Sequence, residues 1–503
     1  MMPASTTLLQ RLLAAGAALS LVAALGASAS VARAITAPTI TVLDINPEGD
    51  SYALDDDDTE AVAVGGLLLF AAEDDTHGRD LYKSDGTVAG TVLVKDISPS
   101  SNSGVEYMVA MGNTAYFRAD NGTDGDELWK SDGTEAGTVM VKDINPSGNS
   151  SPRDLFVVGS TIYFEATDVT NGYELWKSDG TEAGTVMVKD INPSGDSNPR
   201  SFAAIGSTLY FRADDGTNGT ELWKSDGTTA GTVMVKNINT IDNSDPVDLT
   251  ALGNTLYFRA NDGTNGTELW KSDGTTAGTV MVKDIYPSGE SYPGDFAAIG
   301  STIYFKATDD TNGYELWKSD GTSAGTVMVK DINPSGYSNP NNITVLGSAI
   351  YFEASNGTNG TELWKSDGTE AGTVMVKDID PFGGSGPDAI TLHGDLLYFQ
   401  ADGDNGNEMY LSDGTEAGTM RIPAPTATDY ISCDCYDNPV MSTSIGVFFT
   451  YYDSTVGHEL GFIADRLPET NTNSSALTLA LLALSGALAA GAVIARRAER
   501  RAN

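Results

Sequence analysis

Between Asp154 and Ile191 the chain divides into four short segments, DLFVVG, STIYFEAT, ELWKSD and TVMVKDI, with clusters of Gly, Asn and Asp at every junction. None of them carries the three-and-four spacing of an amphipathic helix, so the pattern predicts a nearly all-β chain. Runs such as IYF and VMV are apolar at consecutive positions. Both faces of each small sheet therefore need cover, which sheets stacked face to face supply.

The four-segment unit repeats. Ser84, Ser131, Ser178, Ser225, Ser272, Ser319 and Ser366 open Ser-Asp-Gly triplets 47 residues apart, and Ser412 follows 46 further on. Tandem four-stranded units of this length are the signature of a β-propeller rather than of several ordinary domains. The ends are out of phase in a way that suits ring closure. TVLDINPEG at Thr41 is a fourth segment without its first three, and VFFTYYDSTVGHELGFIAD at Val447 supplies a second and a third without a fourth. Pairing the two would hide both sheet edges. Aromatic second segments occur at Phe70, Phe117, Phe164, Phe211, Phe258, Phe305, Phe352, Phe399 and Phe449. The expectation is a propeller of about nine blades over residues 35–466, closed by the N-terminal strand, with eight blades if the end pieces do not complete one.

With 69 acidic and 29 basic residues the chain has a formal charge of −40. That balance excludes nucleic acid and anionic lipid surfaces as partners and leaves cations or neutral polymers. Lysines persist at fixed slots of the repeat, as at Lys130 and Lys142. The only cysteines are Cys433 and Cys435, in a segment (423–444) that departs from the repeat, so no disulfide framework holds the fold.

Both termini read as targeting segments. Arg11, an apolar run and small residues at Ala32 and Ala34 suggest a signal peptide over residues 1–34. At the other end an uncharged stretch over 476–495 is long enough for a transmembrane helix, and the arginines of 496–503 form a cytoplasmic tail under the positive-inside rule. Residues 467–475 form the linker between propeller and span.

The octapeptide ELWKSDGT stands complete at Glu127, Glu174, Glu221, Glu268, Glu315 and Glu362, with DLYKSDGT at Asp80 and EMYLSDGT at Glu408. The chain thereby resembles the bacterial ELWxxDGT-repeat extracellular proteins, a resemblance that implies a surface-exposed repeat domain and no particular reaction. The order pentapeptide, apolar span, arginine tail resembles an LPxTG-type cell-wall sorting signal, read by a sortase. Leu467, Pro468, Glu469 and Thr470 match it, and Asn471 replaces the usual Gly. A plain membrane anchor is the alternative.

The chemistry within the repeat has two readings at each place. All six tryptophans, Trp129, Trp176, Trp223, Trp270, Trp317 and Trp364, occupy one slot, as sugar platforms or as packing wedges between blades. The turn aspartates Asp132, Asp179, Asp226, Asp273, Asp320 and Asp367 read as hairpin chemistry in Ser-Asp-Gly-Thr and loosely resemble the Asp-box of sialidase-type propellers. Loops between the second and third segments bring Asp120, Asp124, Asp168, Asp214, Asp215, Asp262, Asp309, Asp310, Asp402 and Asp404 to one end of the ring. These oxygen donors are Ca²⁺ candidates, although their spacing matches no EF-hand and tight turns use the same residues. Histidines occur only at His77, His393 and His458, and no catalytic triad, metal motif or phosphate loop stands out. The sequence therefore reads as a surface-anchored, non-enzymatic protein with multivalent adhesion or ligand binding to an extracellular glycan or polymer, with Ca²⁺ as its candidate cofactor. A polymer-degrading enzyme and a purely structural surface component are the alternatives. Blade-specific acidic residues at the central channel would favour the enzyme.

Overall fold

The computed structural model describes residues 37–465 apart from 48, 55–59, 404–405, 426–439 and 454–456. The signal-peptide segment, the sorting motif, the apolar 476–495 stretch, Asp404 and both cysteines lie outside these residues. Among the described residues no helix is long and apolar enough to cross a membrane.

The described residues form nine four-stranded antiparallel sheets. Eight of them run in sequence order from inner to outer strand. Blade 3 is representative: Arg153–Val158 innermost, then Thr161–Thr167, Tyr173–Ser178 and Val186–Lys189. Innermost strands neighbour one another from blade to blade, which makes the array a propeller. The ninth blade is composite. Met441–Ser442, Gly446–Asp453 and Gly457–Ala464 take Thr41–Leu43 as their outermost strand, with Val42 opposite Gly461. The N-terminal strand thus pairs with the C-terminal blade as expected, and the sheet count agrees with the nine aromatic second segments.

Consecutive apolar positions are explained by the stacking. On the second strand of blade 3, Ile162, Phe164 and Ala166 join a core with Tyr116 and Leu128 of blade 2. Tyr163, between them, joins Phe211 and Trp223 of blade 4. Each blade buries both faces, one on each neighbour, and the core is a series of inter-blade layers rather than a central mass. At the seam, Leu43, Phe448 and Leu460 of blade 9 pack with Leu68 and Phe70 of blade 1.

The inner strands of blades 2 to 8 share an irregularity. Their register shifts, as between Arg153 and Phe156, and a non-glycine residue adopts positive φ there: Asp154 (51°), Ser201 (55°), Asp248 (57°), Asp295 (53°) and Asn342 (54°). This β-bulge twists the strand where it enters the blade and re-aims its first side chains.

Candidate functional site

The repeated motif serves architecture, residue by residue. In blade 2 Asp132 Oδ1 accepts from the Thr134 amide at 3.0 Å and from its hydroxyl at 2.6 Å, while Thr134 Oγ1 accepts from the Gly137 amide at 3.0 Å. The same bonds recur at Asp179, Asp226, Asp273, Asp320 and Asp367. The Thr134 hydroxyl and amide beside Asp132 hold its carboxyl below the usual range. These are turn carboxylates. The tryptophans are 5–6% exposed and sit in the inter-blade cores. Lys189 of the preceding blade covers Trp223 with its ammonium 5.5 Å from the ring, and Lys236, Lys283 and Lys330 cover Trp270, Trp317 and Trp364 likewise.

A carboxylate with no role in the sequence-based expectations is fully buried in every central blade. Glu127, fully buried, accepts from the Ile144 amide at 2.7 Å, the Ser150 amide at 3.1 Å and the Ser150 hydroxyl at 2.6 Å. It thereby clamps the connection from one blade to the next. Glu174, Glu221, Glu268, Glu315 and Glu362 do the same, and Glu459 clamps the Ile45 amide at the seam at 2.7 Å. Burial outweighs these donors and pushes Glu127, Glu174, Glu268, Glu315 and Glu459 up to about 7. The signal was present in the constant Glu of ELW, yet nothing local in the sequence says that its partner lies 17 to 23 residues on.

The loop carboxylates expected to bind Ca²⁺ do lie at one end of the ring, each within its own loop. Asp120 accepts from the Gly122 amide at 2.7 Å, Asp124 from Asn121 Nδ2 at 2.8 Å, Asp168 from the Thr170 amide at 3.0 Å and Asp214 from the Gly216 amide at 2.7 Å. Asp215, Asp262 and Asp309 each take two amides of their loops at 2.7–2.9 Å. Asp310 is exposed and Asp402 lies at the end of its strand. Among the described residues no three His, Cys, Asp or Glu side chains form a group that could hold a metal ion.

The blade-specific charges gather on the first and second strands, beside the bulge. Arg118 pairs with Glu106, Arg200 with Glu165 at 3.0 Å and Asp154 at 3.9 Å, Arg259 with Asp248 at 3.2 Å, and Lys306 with Asp295 at 2.6 Å. Burial raises Glu165, against the opposing pull of Arg200, and burial raises Glu353 against a bond from Asn341. Acidic residues are therefore present there, but basic partners of the same ring accompany them. The histidines make separate local contacts in the end blades. His77 Nδ1 lies 2.9 Å from Asp74, His393 Nδ1 lies 3.0 Å from Ser442 Oγ, and the His458 ring stands between Tyr52 and Tyr452.

No protein-family model matches the chain, and no curated protein matches it. Among solved structures it is similar to a prolyl endopeptidase, at 12% identity and a TM-score of 0.38, over 70% of this chain and 52% of that one. A puromycin-hydrolyzing peptidase of Mycobacterium tuberculosis is similar at 11% identity and a TM-score of 0.38, over 68% of this chain and 57% of that one. An acylaminoacyl peptidase of Pyrococcus horikoshii follows at 12% and 0.33, over 63% and 52%. The chain spans little more than half the length of these proteins. The expectation of multivalent adhesion is corrected here: none of these three structures is an adhesin, and at TM-scores below 0.5 they assign the chain no activity of their own either. The loops meant to carry adhesion also turn most of their carboxylates onto their own amides.

Proposed function

We propose that the protein is an exported, non-catalytic scaffold, a stiff closed ring that holds whatever is attached to its ends or its rim at a fixed geometry. The observation that supports this reading most is the commitment of the repeat's polar side chains to bonds within turns and between blades. Lys130 Nζ donates to the Gly180 carbonyl at 2.8 Å and Lys142 Nζ to the Thr185 carbonyl at 2.8 Å, both in the next blade, and the pattern continues around the ring. A residue so engaged is not available to a reaction without breaking the fold. Export through residues 1–34 and retention through 467–503 belong to the same proposal. They rest on sequence pattern alone.

The test is a turnover assay of the full chain against chromogenic peptides, esters and glycosides, beside variants Glu165→Gln and Arg200→Ala. The scaffold reading expects no turnover. Turnover that falls in either variant would overturn it and make the inner ring an active site.

A further inference from the structure

Departures from the repeat are few in the central blades, and several of them converge on one place, the connection from blade 5 to blade 6. Asn145, Asn192, Asn239 and Asn333 occupy equivalent positions, and each closes its connection by donating Nδ2 to the carbonyl four residues on, at 2.8–3.0 Å. Tyr286 stands in that slot in blade 5. A Cβ added to the facing loop glycine of the next blade, Gly216, Gly263 or Gly357, would meet the asparagine Oδ1 at 2.5–2.7 Å. At the blade 6 loop that glycine is replaced by Asp310. Both halves of the usual contact have changed together, and a cleft of about 510 Å³ lies between them.

Four tyrosines line the cleft: Tyr286, Tyr292, Tyr314 and Tyr337. The Tyr314 and Tyr337 rings meet edge to face at 6.2 Å, and Tyr337 is 61% exposed. Glu290, Asp309 and Asp310 supply the acidic part of the wall. Glu290 is fixed by Asn261 Nδ2 at 3.0 Å, the Thr267 hydroxyl at 3.2 Å and the Tyr292 hydroxyl. The neighbouring cleft one blade earlier, of about 520 Å³, is lined by Asn239, Asp242, Asn243 and Asn261 and contains no aromatic ring.

Blade 3 shows what a ring at the Tyr314 position does. Tyr173 is its equivalent, and the Arg153 guanidinium lies over that ring at 5.2 Å. The equivalent of Arg153 in blade 6 is Gly294, so blade 6 has no arginine of its own at that position, and the guanidinium that acts on Tyr292 and Tyr314 is Arg259 of blade 5. Arg259, near Gly294, is already paired with Asp248 at 3.2 Å. Electron-rich ring faces beside carboxylates attract a cation, and a weakly hydrated alkylammonium loses least on leaving water. We propose that this cleft is a binding site for a small organic cation of the quaternary ammonium class.

The experiment is a titration of the full chain with choline and with its neutral isostere 3,3-dimethylbutanol, followed by calorimetry. Two variants install residues that the repeat itself uses and so keep the fold: Tyr314→Thr, as at Thr220 and Thr267, and Tyr337→Asn, as at Asn149 and Asn243. Tyr173→Thr in blade 3 is the control. Saturable choline binding is expected at millimolar concentration. The isostere and either cleft variant should weaken it by about two- to fivefold, the loss expected of one solvent-exposed cation–π contact, with the control unchanged. Absence of saturation, equal binding of the neutral isostere, or indifference to both cleft variants would each overturn the proposal. The scaffold reading stands or falls separately, by turnover.

Discussion

Lys177 of blade 3 donates its ammonium to the carbonyl of Gly227 in the turn of blade 4, at 2.7 Å. Lys224, Lys271 and Lys318 repeat the bond one blade further on each time. Each blade is thereby pinned to the next at its outer turn as well as through its core. Lys177→Met should keep the stem packing and lose the bond, lowering unfolding free energy by about 1–2 kcal/mol in urea melts. An unchanged midpoint would mean that the contact contributes nothing to holding the blades.

The buried clamp glutamates make stability depend on pH. Their folded values sit near 7 against an ordinary 4.5, so the folded chain binds more protons than the unfolded chain between those limits. Stability contributed by these groups is present at pH 4.5 and is lost as pH rises through 7, at about 1.4 kcal/mol for each tenfold difference in proton affinity between the folded and unfolded chain. The turn aspartates act oppositely but only below the usual carboxylate range, because their values are depressed. Calorimetry should find the highest Tm near pH 5 and a fall of several degrees by pH 8; a Tm that rises over this range would refute a role for the clamps in this dependence.

Glu221 offers a sharper version of the same test. It takes the Ile238 amide at 2.7 Å, the Asn239 amide at 3.2 Å and the Ser244 hydroxyl at 2.7 Å. An amide in its place turns a donor toward donors. Glu221→Gln should cost about 1–3 kcal/mol and flatten part of the pH slope, as read from paired melts at pH 5 and 8.

Two glycines should respond differently to alanine. A Cβ on Gly231 would stand 2.0 Å from Asp226 Oδ1, the atom that holds Thr228. Gly206 has open space around it and only a φ of 61° to forbid a side chain. Gly206→Ala should cost about 1 kcal/mol, and Gly231→Ala distinctly more because the turn must open. Equal costs would show that the Asp226 turn is not rigid.

Closure rests on ten or so N-terminal residues. Thr41–Leu43 covers the edge of Gly457–Ala464, and the Ile45 amide satisfies Glu459. Deleting residues 38–47 should expose that edge and a buried unpaired carboxylate, producing concentration-dependent association by light scattering and rapid amide exchange in blade 9. A monomer with unchanged exchange would mean that the ring does not need this strand.

The period, the four strands per unit, the count of nine and the composite closing blade were legible in the sequence because turn residues and apolar runs are local signals. So was the hairpin chemistry of Asp132 and Thr134, whose partners lie two or three residues away. What only the tertiary structure decided depends on residues a blade or more apart. Trp223 could be assigned to packing only once Lys189 and Leu175 of the preceding blade were seen beside it. That Asp215, Asp262 and Asp309 each accept two amides of their own loops was visible only in the folded loops. Tyr286, Tyr314 and Tyr337 are scattered substitutions along the chain and become one cleft only through the stacking of blades, because a 47-residue repeat places equivalent positions side by side in space while its sequence separates them.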